Sequence, residues 1–422
     1  MDWYQRRIVD DELDAAFPAL AAISLDGPKG VGKTATASRR AASVVALDEP
    51  HQAEELDADP GFIDRAPKPL LVDEWQRFPR SWDLVRRAVD RDRAGGQFLL
   101  TGSAALVTAP THSGAGRITS LRMRPLSLAE RAPGLATVSL AALLRGNAEV
   151  TGTTNWAMTD YVREIVGSGF PGMRDLPDRA RRLALDGYLA RIVDRDMVEH
   201  GYRVRAPAAL REWIRAYAKA TASTASYTAI LDAATTGETN KPSKPTTIAY
   251  RDVLSQLWLL DAVEAWRPLG INVGRVVKSP KHHLADPALA ARLMDLDEDS
   301  LLSVSGHPMI GPQHGAALGR LFEGLATLSI RTYAQAAEAK LWHYRDQAGT
   351  REIDLIAEAR GKVLAIEVKL AASVDPSDVR HLNWLQGVLG ERLADRVVIT
   401  TGPTAYRRRD GVAVIPLALL GP

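Results

Sequence analysis

The spacing of apolar residues along the chain changes several times, and each change predicts a different kind of structure. Short apolar runs that end in small or acidic residues, such as AISLD, LLVDE and FLLTG, predict buried strands near the N-terminus. Over residues 139–220, apolar residues recur every three or four positions, which is the period of amphipathic helices. From residue 296 onward, helix and strand patterns alternate again. We therefore expect an α/β multidomain protein with a helical middle.

A glycine-rich loop follows the first apolar strand and precedes a helical stretch. Its sequence, GPKGVGKT, has the spacing G-x-x-x-x-G-K-T. In such a loop backbone N–H groups surround phosphates, Lys33 reaches the terminal phosphates, and Thr34 can bind Mg²⁺. The pattern predicts an ATP site made by Gly27, Pro28, Lys29, Gly30, Val31, Gly32, Lys33, Thr34 and Ala35.

Polar residues end the two apolar strands that follow. LLVDE ends in Asp73 and Glu74, and FLLTGS carries Thr101 and Ser103 at its end. We expect Asp73 to bind Mg²⁺ as well, and Glu74 to polarise the attacking water as the catalytic carboxylate. Either Thr101 or Ser103 could present a hydroxyl to the γ-phosphate.

Four segments, GPKGVGKT, LLVDE, FLLTGSA and GRITSLRMRPLSLAE, occur in this order and resemble the AAA-type ATPase domain of a large prokaryotic group of stand-alone ATPases. In that group a region of the DUF4143 type follows the ATPase domain. The resemblance covers residues 1–135 and implies ATP binding, Mg²⁺-dependent hydrolysis and a sensor role for Ser103. It also implies a helical lid over residues 136–205 and a homo-oligomeric ring, with a hexamer as the candidate size. Arg117 is the candidate for completing a neighbouring subunit's site, and Arg195 is a second candidate for contacting the γ-phosphate.

Residues 206–295 show a helix–turn–helix pattern followed by a strand-like segment, which is the outline of a winged helix. We expect Thr246 or Thr247 to cap the longer helix. A winged helix either binds DNA or connects proteins, and the sequence leaves both open. In the first case the residues that contact phosphates would be Lys241, Lys244, Arg251, Arg275, Lys278 and Lys281.

The segment LAIEVKL reads as a buried strand that carries Glu367 and Lys369 on one face. Asp354 lies 13 positions before Glu367, on the preceding predicted strand, so a hairpin can bring the three side chains together. They either neutralise one another or hold a ligand.

Together with Glu323 on the preceding predicted helix, these residues resemble the PD-(D/E)xK nuclease superfamily, over residues 296–422. The resemblance implies a restriction-endonuclease-like α/β domain in which Glu323, Asp354 and Glu367 bind Mg²⁺. It implies that Lys369 orients the attacking water or stabilises the transition state.

Composition narrows the class of protein. The 422 residues are 46% hydrophobic and 25% charged, with a formal charge of +2, which is typical of a globular protein and not of a strongly basic DNA-packaging protein. The absence of cysteine excludes disulfides and thiolate zinc sites. The charged N-terminus and the lack of a long apolar run favour a cytoplasmic protein without a membrane segment.

Two functional hypotheses are consistent with these patterns. The first is a Mg²⁺-dependent AAA-type ATPase coupled to a PD-(D/E)xK nuclease domain that acts on DNA. The alternative is a regulatory or signalling ATPase whose C-terminal domain binds DNA or a protein partner without cleavage.

Overall fold

The computed structural model of the protein describes residues 4–103, 114–199, 201–235, 242–268, 273–302 and 312–422. Two large β-sheets and a two-stranded pair make up its β-structure, and helices pack around and between them. The expected α/β class is therefore confirmed at this level.

The first sheet contains five parallel strands. These are β1 (Ala22–Asp26), β2 (Ser43–Ala46), β3 (Leu70–Asp73), β4 (Phe98–Gly102) and β5 (Ile118–Arg122). The helices of this part are α1 (Ile8–Ala16), α2 (Lys33–Ser38), α3 (Pro50–Ala58), α4 (Phe62–Arg65), α5 (Arg80–Arg91) and α6 (Leu128–Arg131). The strand order is β2-β3-β4-β1-β5. Because all five strands are parallel, the loop after β1 and the ends of β3 and β4 lie at one edge of the sheet.

The middle of the chain is helical. Its helices are α7 (Leu140–Arg145), α8 (Met158–Val166), α9 (Pro171–Arg174), α10 (Asp178–Arg191), α11 (Met197–Glu199), α12 (Pro207–Lys219), α13 (Tyr227–Ala234), α14 (Lys244–Gln256), α15 (Pro287–Leu293) and α16 (Glu298–Leu302). A π-helical turn, Ile192–Asp196, joins α10 to α11. A short strand, β6 (Val138–Ser139), precedes α7. Between α14 and α15, antiparallel bridges join Leu260 to Leu284 and Val263 to Lys281. The winged-helix interpretation of this region stays a prediction.

The cap expected for the longer helix was wrong. Ser243 caps α14, and its hydroxyl accepts a hydrogen bond from the backbone N–H of Thr246. The reason is the proline at position 245, which has no N–H to donate and therefore fits the first turn of a helix. The helix consequently begins before Thr246 and Thr247.

The second sheet has six strands and mixed directions. After the long helix α17 (Pro312–Ala336) come β7 (Lys340–Arg345), β8 (Glu352–Ala359), β9 (Lys362–Val368), α18 (Arg380–Leu389), β10 (Leu393–Thr400), β11 (Tyr406–Arg407), β12 (Ala413–Pro416) and β13 (Leu420–Gly421). The order is β11-β12-β10-β9-β8-β7, with β13 outside it. Strands β7, β8 and β9 are antiparallel neighbours, whereas β9, β10 and β12 are parallel.

The N-terminal and C-terminal parts are packed against each other. One hydrophobic core contains residues from Val9 to Leu420. Strand β13 pairs in parallel with β6, and the first N–H groups of α6 donate to Ser329 and Tyr333 of α17. The domain boundaries expected at residues 135, 205 and 295 stay predictions, and the parts on either side of them share apolar contacts.

Within the described residues, every helix is too short or too polar to cross a lipid bilayer.

Candidate functional site

The loop between β1 and α2 has the close backbone geometry that its glycines predict. A Cβ at Gly27 would lie 2.1 Å from the carbonyl oxygen of Met123, so only glycine fits there. Gly32 has φ +97°, a left-handed conformation that glycine adopts without strain, and the helix α2 begins at the next residue. The loop therefore leads directly into the N-terminus of α2, and helix N-termini commonly bind phosphate.

Lys33 lies inside this loop. Its Nζ atom donates to the carbonyl oxygens of Gly27 at 2.8 Å and Pro28 at 2.9 Å. Burial lowers the pKa of the Lys33 amine to about 8, although the carboxylates of Glu74, Asp26 and Asp73 act in the opposite direction. A buried amine whose hydrogen bonds to described residues go to neutral carbonyls is in a suitable place to receive an anionic phosphate.

The residues predicted to bind Mg²⁺ beside the loop are close together. The Thr34 hydroxyl donates to Asp73 Oδ1 at 2.9 Å, and Thr101 donates to the same carboxylate oxygen. A hydroxyl and a carboxylate are the oxygen ligands that Mg²⁺ prefers in nucleotide sites. Thr34 and Asp73 therefore fit a magnesium ion, with Thr101 holding the carboxylate.

Glu74 lies directly after β3 in a left-handed conformation, with φ +51°. The side chain of Gln76 donates to its carboxylate, and the Ser103 hydroxyl donates to Glu74 Oε2 at 3.3 Å. The two hydroxyls at the end of β4 therefore contact different acids: Thr101 contacts Asp73, whereas Ser103 contacts Glu74.

A cavity of about 960 Å³ opens beside the loop. Its lining includes Glu74 and the loop residues Lys29 to Thr34 together with Ala35 on α2. Residues of α9 also line the cavity, namely Pro171, Gly172 and Arg174. This volume is within the range of sites for small molecules and cofactors. The helical segment expected to act as a lid thus contributes one wall of the cavity.

Lys29 of the glycine-rich loop forms ion pairs that the sequence did not predict. Its Nζ atom lies 2.6 Å from Asp196 Oδ1 and 3.5 Å from Glu199 Oε2. Asp196 lies on the π-helical turn before α11, and Glu199 lies on α11. These ion pairs therefore link the phosphate loop to the helical region.

The two candidate arginines lie elsewhere. Arg117 precedes β5, is exposed, and donates to Asp90 Oδ1 at 2.8 Å. It does not line the cavity described above. Arg195 lies exposed on the π-helical turn. Their roles toward a neighbouring subunit and a γ-phosphate stay predictions.

Three residues of the predicted nuclease motif lie on or directly after the central strands of the second sheet: Asp354 on β8, Glu367 on β9, and Lys369 one residue after β9 ends. The strand expected over LAIEVKL therefore ends before Lys369. Leu355 of β8 pairs with Ile366 of β9, which places Asp354 beside Glu367. Asp354 Oδ2 accepts from the backbone N–H of Val368 at 2.9 Å, and Lys369 Nζ lies 2.9 Å from Glu367 Oε1. Burial raises the pKa of Glu367, and the Asp354 carboxylate raises it further.

One lysine in this cluster was wrongly assigned from the sequence. We expected Lys281 to contact DNA phosphates, but its side chain is only 1% exposed. Its Nζ atom lies 2.8 Å from Glu323 Oε1, 2.8 Å from Asp354 Oδ1 and 3.5 Å from Glu352 Oε1. The only hint in the sequence is that Lys281 begins a segment rich in apolar residues, which the structure buries as far as Ala291.

These positions bear on the predicted metal site of the C-terminal part. Glu323 and Asp354 already share the ammonium group of Lys281, and Glu367 has Lys369 as its partner. Among the described residues there is no group of three or more His, Cys, Asp or Glu side chains arranged to hold a metal ion. The arrangement of Glu323, Asp354 and Glu367 in this structure therefore does not fit a divalent cation.

The other lysines and arginines expected at a DNA interface are more exposed. Arg275 and Lys278 are exposed before the bridge at Lys281, and Lys244 is exposed at the start of α14. The Arg251 guanidinium lies 5.3 Å from the centre of the Tyr227 ring and pairs with Asp252. Lys241 lies outside the described residues.

Three parts of the chain match models of known domains. They are an AAA domain over residues 20–132, a domain of unknown function (DUF8612) over residues 158–300, and a domain of unknown function (DUF4143) over residues 318–420. The first match contains the glycine-rich loop and the polar residues at the ends of β3 and β4. The second runs across the boundary expected at residue 205.

Two mycobacterial proteins are similar over most of the chain. They are the uncharacterized proteins Rv2008c of Mycobacterium tuberculosis and Mb2031c of Mycobacterium bovis. Each is 26% identical over 423 residues, which covers 98% of this chain and 83% of the relative. Together, the domain matches support an AAA-type ATPase with a C-terminal DUF4143 region, and the AAA domain implies nucleotide binding.

Proposed function

We propose that the protein is a Mg²⁺-dependent ATPase that works as a nucleotide-controlled switch. The observation that carries this proposal is the meeting of Lys33, the Thr34–Asp73 pair and Glu74 at one edge of the sheet. All of them except Asp73 also line the cavity, whose volume suits a nucleotide.

Each residue has a separate task in this proposal. The loop N–H groups and the Lys33 ammonium bind the phosphates, and Thr34 and Asp73 hold the ion. Magnesium, when bound, neutralises the charge that develops on the phosphate oxygens. Glu74 positions a water and accepts its proton, while Gln76 and Ser103 keep the carboxylate in place. Thr101 keeps the Asp73 carboxylate directed toward Thr34.

The experiment that tests this function is phosphate release from ATP with and without Mg²⁺. The wild-type chain should release phosphate only with Mg²⁺, and Lys33→Ala should reduce the rate by at least about 100-fold, because the phosphates lose their cation. Lys340→Ala, an exposed lysine on β7, is the matched control and should keep the wild-type rate. Equal rates for Lys33→Ala and the wild type would reject the proposal.

For the predicted winged-helix region and the C-terminal part together we propose binding to DNA without cleavage. The exposed Arg275 and Lys278 support DNA contact, and the ion pairs of Lys281 oppose metal-dependent cleavage. The competing hypothesis is a nuclease, which is favoured by the convergence of Asp354, Glu367 and Lys369 on one face.

A single assay separates the two hypotheses. Plasmid and single-stranded DNA would be incubated with Mg²⁺ and either ATP, a non-hydrolysable analogue or no nucleotide. We expect a shift in DNA mobility and no nicking under any of these conditions. Nicking that disappears in Asp354→Ala, while ATP hydrolysis persists, would establish the nuclease instead.

We also propose that the active form is a homo-oligomer. Arg117 supports this proposal because it is exposed and is not among the residues that line the cavity of its own chain, as expected of a residue that acts on a neighbour. Ring size follows from the mass in solution relative to the 45.8 kDa of one chain.

A further inference from the structure

We propose that the ammonium group of Lys281 is a built-in cation that takes the place of a divalent metal in the acidic cluster of the C-terminal part. The cluster consists of Glu323, Glu352, Asp354 and Glu367. This inference concerns a different site from the ATP cavity and does not rest on ATP hydrolysis.

The position of the ammonium group supports this inference. It lies 2.8 Å from one oxygen of Glu323 on α17 and 2.8 Å from one oxygen of Asp354 on β8. A third carboxylate, Glu352, lies at 3.5 Å. A cation that contacts acids from both a helix and the adjoining sheet is at the point where a bridging metal ion would have to be.

The backbone fixes Lys281 firmly. Its N–H donates to the carbonyl oxygen of Val263, and the N–H of Val263 donates to the carbonyl oxygen of Lys281, both at 2.8 Å. The flanking residues His282 and His283 are buried as well. Withdrawing the side chain would therefore leave an unpaired buried charge or break this backbone pair, and both are unfavourable.

Each acid of the cluster has a cationic side chain beside it. Lys281 serves Glu323 and Asp354, Lys369 serves Glu367, and Arg345 lies 3.5 Å from Glu352. A divalent cation added beside Lys281 would be repelled by an ammonium group that water does not screen. The ammonium group and a metal ion consequently exclude each other.

The lysine also has a structural consequence. Its backbone belongs to the bridged segment between α14 and α15, whereas its acidic partners belong to α17 and β8. The ammonium group therefore ties the predicted DNA-binding region to the second sheet. A metal ion at the same place would have no covalent link to that segment.

The test is calorimetric titration of Mn²⁺ into the full-length protein. Every variant carries Thr34→Ala and Asp73→Asn, which remove the two predicted ligands at the ATP site. We expect no saturable Mn²⁺ binding in this background. Adding Lys281→Met should create one site per chain, with an affinity at least about 10-fold above any residual binding.

The control is Lys281→Met combined with Asp354→Asn, which should lose the new site while keeping a similar residue volume. A folded Lys281→Met chain that gains no site would overturn the inference, since the acids would then not form a metal-sized cluster. Saturable Mn²⁺ binding in the background protein, lost on adding Asp354→Asn, would overturn it as well.

A second measurement covers the case in which Lys281→Met does not fold. The melting temperature of the background protein and of its Asp354→Asn variant would be recorded with and without Mn²⁺. We expect no Mn²⁺-dependent shift in either, because Lys281 remains in place. An upward shift in the background protein that is absent from the Asp354→Asn variant would show that a metal displaces the lysine.

Discussion

At the scale of single residues, the two hydroxyls at the end of β4 have different partners. Thr101 donates to Asp73, which is expected to bind Mg²⁺, whereas Ser103 donates to Glu74, which is expected to act on the water. Thr101→Val should therefore raise the Mg²⁺ concentration needed for half-maximal hydrolysis by about 10-fold or more. Ser103→Ala should lower kcat at saturating Mg²⁺ and leave the half-saturating concentration unchanged.

The measurement is the ATPase rate as a function of Mg²⁺ for both variants and the wild type. If the two variants showed the same change in Mg²⁺ dependence, the division of roles between Thr101 and Ser103 would be wrong.

The positions of candidate residues were predictable where the chemistry is tied to a short motif. The spacing from Gly27 to Thr34 and the acids at Asp73 and Glu74 could be found because each motif follows a strand within a few residues. Lys281 could not be assigned, because its partners lie 42 and 73 positions further along the chain. Pairing over such distances depends on the tertiary fold and leaves no local pattern.

Between neighbouring elements, helix α1 contacts helix α17 through the partly buried acid Glu12. The amide of Gln335 on α17 lies 3.2 Å from both carboxylate oxygens of Glu12 and also donates to the carbonyl oxygen of Arg122 on β5. Burial raises the pKa of Glu12 from 4.5 to about 7, against the opposing effect of the Gln335 hydrogen bond.

This contact predicts a pH-dependent stability. Between pH 4.5 and about 7 the folded chain binds more protons at Glu12 than the unfolded chain does. The free energy of unfolding therefore decreases as the pH rises through this range. Glu12→Gln should remove the dependence, and its melting temperature should exceed that of the wild type by about 1–3 °C at pH 8 but not at pH 5. Glu54→Gln, at an exposed position on α3, is the control. The measurement is the melting temperature as a function of pH. If the Glu12→Gln and wild-type melting temperatures changed in parallel with pH, Glu12 would not be the source of the pH dependence.

The order of the elements could be read from the sequence better than their contacts. The apolar runs that predict β1, β3 and β4 end where the strands end, because the chain must turn polar at the edge of a buried sheet. The same holds for β8, whereas β9 ends at Val368, two residues before the end of the run that predicts it. The cap of α14 was missed by three or four residues, because the effect of the proline at position 245 outweighs that of the two threonines that follow it.

At the scale of the whole molecule, the ATPase part and the C-terminal part share one core. Helix α17 receives hydrogen bonds from α6, and β13 pairs with β6. Packed elements therefore join the two parts in the described residues. Sequence patterns reflect only residues that are close together in the chain, so they predict a row of successive domains. The packing between the N-terminal and C-terminal parts could not be predicted from such patterns.

If the active form is a homo-oligomer, two inactive variants should restore each other's ATP hydrolysis when they are mixed. Arg117→Ala should reduce hydrolysis by at least about 100-fold, because an arginine that completes a neighbour's site stabilises the transition state. Lys33→Ala is inactive for a different reason, so mixing the two proteins in equal amounts should restore about one quarter of the wild-type rate, since random neighbours then supply one complete site in four.

The control for this mixture replaces Arg117→Ala by Arg91→Ala, an exposed arginine on α5 that pairs with Asp64. Arg91→Ala alone should be as active as the wild type. If the Arg117→Ala mixture regained no activity while the mass in solution stayed that of a single chain, the oligomer proposal would fail.

Hydrolysis of ATP in the cavity beside the loop is tested by following one bound ATP through a single turnover. The wild-type chain should convert it to ADP, whereas Glu74→Gln should keep it bound and slow its hydrolysis by about 10²–10⁴-fold, because the amide cannot accept a proton from water. ATP bound tightly and hydrolysed equally fast by Glu74→Gln and by the wild type would contradict the account.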